Sequence, residues 1–234
     1  MRISHNITAM NTYRQYNTNT VNTNKSMEKL SSGARINRAA DDAAGLSISE
    51  KMRSQIRGLT QATRNAQDGV SFIQTAEGAL NEVSDMLVRL KELATQVPND
   101  TYSTNDRENI GLEMKSLGNA IKDIYANTKF NSKAVFGSGN SDINTTSVAN
   151  DTTATATIVY GEDGTQNVVI NAAKTVSLSA LCQSLAAADD EAGAKAIDND
   201  LVEDAITEVN LTRASYGAWQ NQFEHASNNM AATK

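Results

Sequence analysis

The chain has 234 residues, enough for one sizeable domain or two small ones with a real core, and 21 Lys/Arg against 27 Asp/Glu leave it at −6. That acidic balance argues against a nucleic-acid protein, and a single proline with 5% aromatics suits long helices better than a sandwich or barrel. Cys182 is the sole cysteine, so no intramolecular disulfide can form. It follows Leu181 in an apolar run and is expected to be a buried, inert thiol. No stretch approaches the roughly 18 apolar residues of a membrane span, so no membrane insertion is expected. The N-terminus also lacks an apolar signal-peptide core, which disfavours ordinary secretion and leaves a specialised export route open.

Charge is uneven along the chain. Residues 1–40 hold six Lys/Arg against Glu28 alone, a balance of +5 that leaves −11 for the remainder. The basic residues are spread among asparagines, which reads as the polar face of a helix better than as a transit peptide or nucleic-acid arm. Ile3, Ile7, Met10, Tyr13, Val21, Met27 and Leu30 supply the other face at compatible spacing, diluted by Asn17 and Asn24. From Leu30 to Lys51 the pattern breaks into small residues and short charged clusters. Asp41 or Ser47 is expected to restart the helix there, the second through Ser47-x-x-Glu50 as a capping box.

The strongest periodic signal follows: Met52, Ile56, Leu59, Thr63, Ala66, Val70, Ile73, Ala76, Leu80, Val83, Leu87, Leu90 and Ala94. Every step is three or four residues with a mean of 3.5, which predicts a coiled-coil-like helix. Pro98-Asn99-Asp100 ends it in a turn. A second helix over about 104–126, with Ile110, Met114, Leu117, Ile121 and Ile124 on one face, is then its antiparallel neighbour. Residues 141–177 carry eight threonines and no long apolar period. Within them Ala154–Tyr160, a Gly161–Gly164 turn and Thr165–Ile170 predict a β-hairpin, read as part of an insert that a helical body closes over at little cost. A third long helix over about 195–230 presents Val202, Ile206, Val209, Tyr216, Phe223 and Met230.

The expected fold is therefore mainly α, a long antiparallel coiled-coil-like bundle with a small β-hairpin insert. Ordering each helical residue costs roughly 1–2 kcal/mol of backbone entropy, so such seams need covering partners. The helices at 52–97, 104–126 and 195–230 can cover one another. The helix at 3–30 has no obvious partner within the chain, which points to assembly.

Catalytic chemistry is absent from the pattern. His5 and His225 form no HExxH pair, and there is no phosphate-cradling Gly-rich loop and no GxSxG elbow. Asp41 and Asp42 are adjacent and do not share a helix face. No enzyme activity, catalytic residue, metal or cofactor is expected.

MRISHNITAMNTYRQ, LSSGARINRAADDAAGLSISEKMRSQIRGL, NAQDGVSFIQTAEGAL, RLKELATQ and ANTKFN together resemble the N-terminal half of bacterial flagellin. AITEVNLTRASYGAWQNQFEHA is similar to the start of that family's C-terminal half. The resemblance spans about 1–136 and 197–234. It implies the subunit of an extracellular flagellar filament, a homopolymer exported through the flagellar machinery without a cleaved signal peptide, with motility as its role. It further implies an inner-core helix and joint at 1–45, the halves of a helical middle domain at 46–136 and 197–234, and a variable outward-facing insert at 137–196. Ile3, Ile7, Met10 and Tyr13 become the inner-core self-assembly seam. The family's C-terminal inner helix, which pairs with residues 3–30, is missing from this sequence, and the chain as it stands is not expected to form stable filaments by itself. The family is also recognised by a host Toll-like receptor, and the matching contact residues are Arg89, Leu93, Gln96 and Glu113. Lys91 stands where arginine is frequent, and Tyr216 and Trp219 where smaller aliphatic residues are common. The alternative reading is a hook-associated junction adaptor of the same appendage, sharing the terminal helices without polymerising.

Overall fold

The computed structural model describes residues 6–136, 154–171, 176–188 and 190–234. It contains two units, Met1–Ile56 and Arg57–Lys234.

In the first unit α1 runs over Ile7–Ser32. Asn6 starts it by accepting the Ala9 N–H at 3.1 Å, which satisfies one donor that the first turn leaves open. Gly33 ends it at φ +67°, a left-handed turn where a Cβ would be strained. Thr12, Thr18, Thr20 and Ser26 donate their hydroxyls to the carbonyls four residues back, so the polar side chains are satisfied within the helix. None of its residues is buried.

The joint after α1 separates the two adjacent aspartates into different tasks. Asp41 Oδ2 accepts the backbone N–H groups of Asn37 and Arg38 at 3.3 and 3.4 Å. The Asn37 N–H is the main reason its carboxyl is held below the usual range, with Lys29 adding its charge. Asp42 instead accepts the Gly45 N–H at 2.9 Å, and α2 starts at Ala43. The restart is thus set by Asp42 rather than by Asp41 or Ser47. Ser47 and Glu50 lie inside the helix, where no open N–H remains for a capping box to satisfy.

α2 spans Ala43–Gln96, 54 residues and about 80 Å at 1.5 Å per residue. Its deeply buried line in the second unit is Ala62, Ala66, Gly69, Ile73, Ala76, Leu80, Val83, Leu87, Leu90, Ala94 and then Val97. The steps alternate between four and three without a break. The same alternation recurs on α3 (Thr104–Asn127) through Arg107, Gly111, Met114, Gly118, Ile121 and Tyr125. On α6 (Asn199–Thr233) it runs through Val202, Ala205, Val209, Thr212, Tyr216, Phe223 and Met230, with half-buried Trp219 and Ala226 completing it. Three helices with a 3.5-residue seam are the expected bundle.

Both partners run antiparallel to α2. α3 returns after the short connection 97–103 and begins with a capping box, in which Ser103 and Asp106 satisfy each other's backbone N–H. α6 meets α2 through Lys91–Glu203 at 2.8 Å toward one end and through Phe223 beside Gly69 toward the other. The seam differs from the expected one where bulk was used as the guide. Gly69 and Ala62 hold the register, and Val70 and Thr63 stand half-buried beside it. Glycine is used there because a Cβ on Gly69 would lie 2.7 Å from Ile158 Cδ1 and 3.3 Å from the Phe223 ring.

Ile158 belongs to the hairpin β3 (Ala154–Val159) and β4 (Asn167–Asn171), which pair antiparallel with Thr157 opposite Val169. The ladder gives way at the expected turn, where Gly164 sits at φ +78° and Asp163 accepts the Thr165 N–H. β4 alternates exposed and buried, and Val168 and Ile170 join the core with Ala156. Asn65 donates to the Val159 carbonyl at 3.0 Å, and Tyr160 packs edge-on against Phe223. The hairpin is therefore core, and the expectation that a helical body simply closes over it is overturned. The rest of the Thr-rich stretch, 137–153 and 172–175, lies outside the described residues. A second, smaller hairpin, β1 (Lys129–Phe130) and β2 (Lys133–Ala134), turns at Asn131 and Ser132.

Among its described residues the insert turns helical from Val176 on, which its composition concealed. α4 (Val176–Ala186) buries Leu178, Leu181, Cys182 and Leu185, again at helical spacing. Cys182 is buried as expected, and desolvation pushes its thiol up to about 11. Leu185 fills the gap left by Gly118, where a Cβ would approach to 2.9 Å. The first turn of α4 is capped from α6, since the Glu208 carboxylate accepts the N–H groups of Val176, Ser177 and Leu178 at 2.9–3.2 Å.

α5 (Glu191–Lys195) closes the end of the bundle. Arg107, 7% exposed, donates to Glu191 at 2.7 Å, to Asp100 at 3.0 Å and to the Asn99 carbonyl at 3.0 Å. A buried guanidinium requires such neutralisation. Lys195 first, and Arg107 second, hold Glu191 at about 2 against an ordinary 4.5.

Two outcomes follow for stability. A Cβ at Gly111 would lie 2.8 Å from the backbone oxygen of Ala188, whereas one at exposed Gly78 would meet nothing within 4 Å. Gly78→Ala should raise unfolding free energy by about 1 kcal/mol and Gly111→Val lower it by about 1–3 kcal/mol, read by urea titration. Opposite signs are required; two equal shifts would contradict the close approach at Gly111. The second outcome concerns acid. A carboxyl held low in the fold stabilises it fully above its unfolded value, and that contribution is lost as pH falls from 4.5 through about 2. Glu191→Gln should therefore flatten the fall in melting temperature over that window, and an unchanged slope would show that the Arg107 cluster does not report on folding.

Candidate functional site

Two surfaces carry the residues singled out in the sequence. The first is α1. Among the expected seam residues, Ile7, Met10 and Tyr13 are 71, 63 and 67% exposed. Ile3 lies outside the described residues. α1 is rich in Asn and Thr, which are poor helix formers, so without a covering partner it is a weak helix in water. None of its apolar positions is buried among the described residues.

The second surface lies where α2 and α3 run side by side near the 97–103 turn. Arg89 donates through Nε and Nη2 to Glu113 Oε1 at 3.0 and 2.9 Å, and through Nη1 to Glu92 Oε2 at 2.9 Å. Glu92 first and Glu113 second raise the guanidinium's pKa, so it stays charged. The antiparallel turn thus brings Arg89 and Glu113 together, both about half exposed. Exposed Val88 and Leu112 are their immediate chain neighbours. Gln96 is half-buried and donates to the Tyr102 hydroxyl at 2.7 Å, which directs its amide toward the turn.

Leu93 is placed differently. It is 1% exposed and belongs to the core. Arg89, Leu93 and Gln96 share one side of α2 by spacing, but α2 is flanked by both α3 and α6, so its buried stripe is wider than a two-stranded seam. Leu93 falls inside that stripe. Lys91 pairs with Glu203 of α6, a single point contact suited to an ammonium.

Sequence reasoning missed Arg107 and Glu208. Arg107 had a legible signal, since it stands at a seam position four before Gly111 and seven before Met114. Glu208 had none, because its partners are backbone groups of a distant helix. Among the described residues no group of three His, Cys, Asp or Glu is arranged to hold a metal ion. No described helix is long and apolar enough to cross a membrane.

Comparison with known proteins gives a consistent answer. Residues 3–141 match the family described as bacterial flagellin N-terminal helical region. A flagellin of Halalkalibacterium halodurans is 43% identical over 232 residues, covering 98% of this chain and 80% of the relative. The Bacillus subtilis flagellin is 41% identical over 255 residues, covering 100% and 83%. A flagellar filament 33 kDa core protein of Treponema phagedenis is 40% identical over 236 residues, covering 96% and 79%. The crystal structure of Bacillus cereus flagellin superposes with a TM-score of 0.54 at 29% identity, over 71% of this chain and 88% of that one. The long helices, their seams and these relatives converge, and the chain belongs to the flagellin family.

Proposed function

We propose that the chain is a structural subunit of the bacterial flagellar filament, assembling with copies of itself outside the cell after passage through the flagellar export machinery. One observation carries the self-assembly: α1, 26 residues long, buries none of its side chains in a single copy. Such a helix draws no packing energy from the described residues, and contacts made on assembly, other subunits among them, would supply it. The relatives named as filament core proteins support the same reading. No observation favours the junction adaptor.

The test uses the protein as its native cell makes it. Met10→Asp places a charge in the seam at a position that contributes nothing to the core of the second unit. The variant should be secreted with an unchanged melting transition yet give no long filaments by electron microscopy, and cells should lose motility. Normal filaments from this variant would sink the seam assignment.

The second part of the reading is that the filament protein is also a ligand for a host Toll-like receptor, through Arg89, Glu113 and Gln96. Leu93 acts from beneath by holding the α2 backbone in place. Truncating a central arginine at an interface commonly costs about 2 kcal/mol, so Arg89→Ala should weaken binding to the purified receptor ectodomain about thirtyfold. Glu113→Ala should weaken it in the same direction, with circular dichroism unchanged for both. Leu93→Ala differs by losing about 2–5 kcal/mol of stability. Full affinity in both the Arg89 and Glu113 variants would remove this surface from consideration.

A further inference from the structure

The methionines divide sharply between the two units. Met10, Met27 and Met52, all in the first unit, are 63, 62 and 58% exposed. In the second unit Met114 and Met230 are buried at 0 and 6%, and Met86 is packed against the core. Met1 lies outside the described residues. The three exposed thioethers also stand inside exposed apolar stripes. Met10 is three residues from both Ile7 and Tyr13, Met27 is three from Leu30, and Met52 is four from both Ile48 and Ile56, all of them large and exposed. At those spacings each set shares a helix face. Unbranched, polarizable methionine adapts to irregular apolar partners, which suits a face that packs against another protein.

We propose that Met10, Met27 and Met52 are oxidation sites of the unassembled chain, and that their conversion to sulfoxides blocks its assembly into filaments. The blocking half rests on the filament reading. The oxidant is a peroxide. The thioether sulfur attacks one peroxide oxygen, the S–O bond forms as the O–O bond breaks, and the second oxygen leaves as water once protonated. Sulfur loses two electrons and the peroxide gains them. The step needs only access, which these three side chains have. The product replaces a soft apolar atom with a strongly polar acceptor. On a stripe covered by a second subunit that oxygen must find a donor or remain buried without one. Assembled filaments shield the same side chains, so the lesion acts on subunits before they join. Reduction of the sulfoxide restores the thioether and with it assembly.

The experiment starts from native filaments dissociated into subunits. Subunits treated with hydrogen peroxide are mapped by mass spectrometry and allowed to reassemble beside untreated ones, and the triple variant Met10→Leu, Met27→Leu, Met52→Leu is handled in parallel. Sulfoxide should form at the three exposed residues roughly tenfold faster than at Met114 and Met230. The critical concentration for assembly should rise about tenfold for each covered sulfoxide. The triple leucine variant should reassemble equally well with and without peroxide, and circular dichroism should show all species folded. Equal oxidation rates at all methionines would overturn the site assignment. Unchanged assembly of fully oxidised subunits, or equal inhibition of the leucine variant, would overturn the block. If untreated native subunits fail to reassemble, the filament reading itself falls and the block with it, while the oxidation map still stands or falls on its own.

Discussion

The second unit depends on one packing constraint. Three helices keep an uninterrupted alternation of three- and four-residue steps, yet several positions on that register are glycine or alanine. A seam of leucines alone would close on itself. Here Gly69, Gly111 and Gly118 leave gaps, and side chains or backbone from the intervening segment occupy them: Ile158 at Gly69, Ala188 at Gly111, Leu185 at Gly118. Voids of that size would otherwise forfeit dispersion contacts on every wall. The long helices and the segment between α3 and α6 are complementary halves of one core, which is why the hairpin and α4 cannot be treated as ornaments on a bundle.

Charges follow the same division between satisfied interior and open surface. Arg107 is tolerated in the core because Glu191, Asp100 and a backbone carbonyl surround it. Glu208 is anchored by three backbone N–H groups at a helix start, where a carboxylate is favoured both as acceptor and as charge. Arg89 and Glu113 make an equally close pair at the surface, where water screens it, so its contribution to stability is small. That makes the pair free to exchange partners.

Much of this was legible from residue order. The run from Leu80 to Ala94, the turn at Pro98, the helix after it, the hairpin flanking Gly161–Gly164 and the buried Cys182 all follow from periodicity and turn chemistry. The misreadings share a cause. Ranking positions by bulk favoured Val70 over Gly69 and Thr63 over Ala62, because a hydrophobic scale cannot see that a partner side chain arrives to fill the space. α4 was hidden by the threonines around it, although Leu178, Leu181, Cys182 and Leu185 carry helical spacing. Of the surface residues, Arg89 and Glu113 could be brought together from the antiparallel turn alone. The burial of Leu93 could not, since it requires knowing that α2 has neighbours on two sides. Asp42 displaced Asp41 as the cap by a choice between adjacent carboxylates that depends on how the preceding loop uses the other one.

The arrangement of gaps and fillers also dictates an order of events along the chain. α2 and α3 meet across a seven-residue connection, a loop that closes on a submicrosecond scale. Everything that completes their shared face arrives from far downstream: Asn65 waits for Val159, Gly118 for Cys182, and Lys91 for Glu203, separations of 94, 64 and 112 residues. Contacts of such high order are slow to form because the intervening chain must first be closed into a loop. Until α6 docks, the α2–α3 hairpin stands with glycine-notched grooves open to water. A unit built this way completes its core in one late, cooperative step, and it stays pliable for as long as α6 is held back.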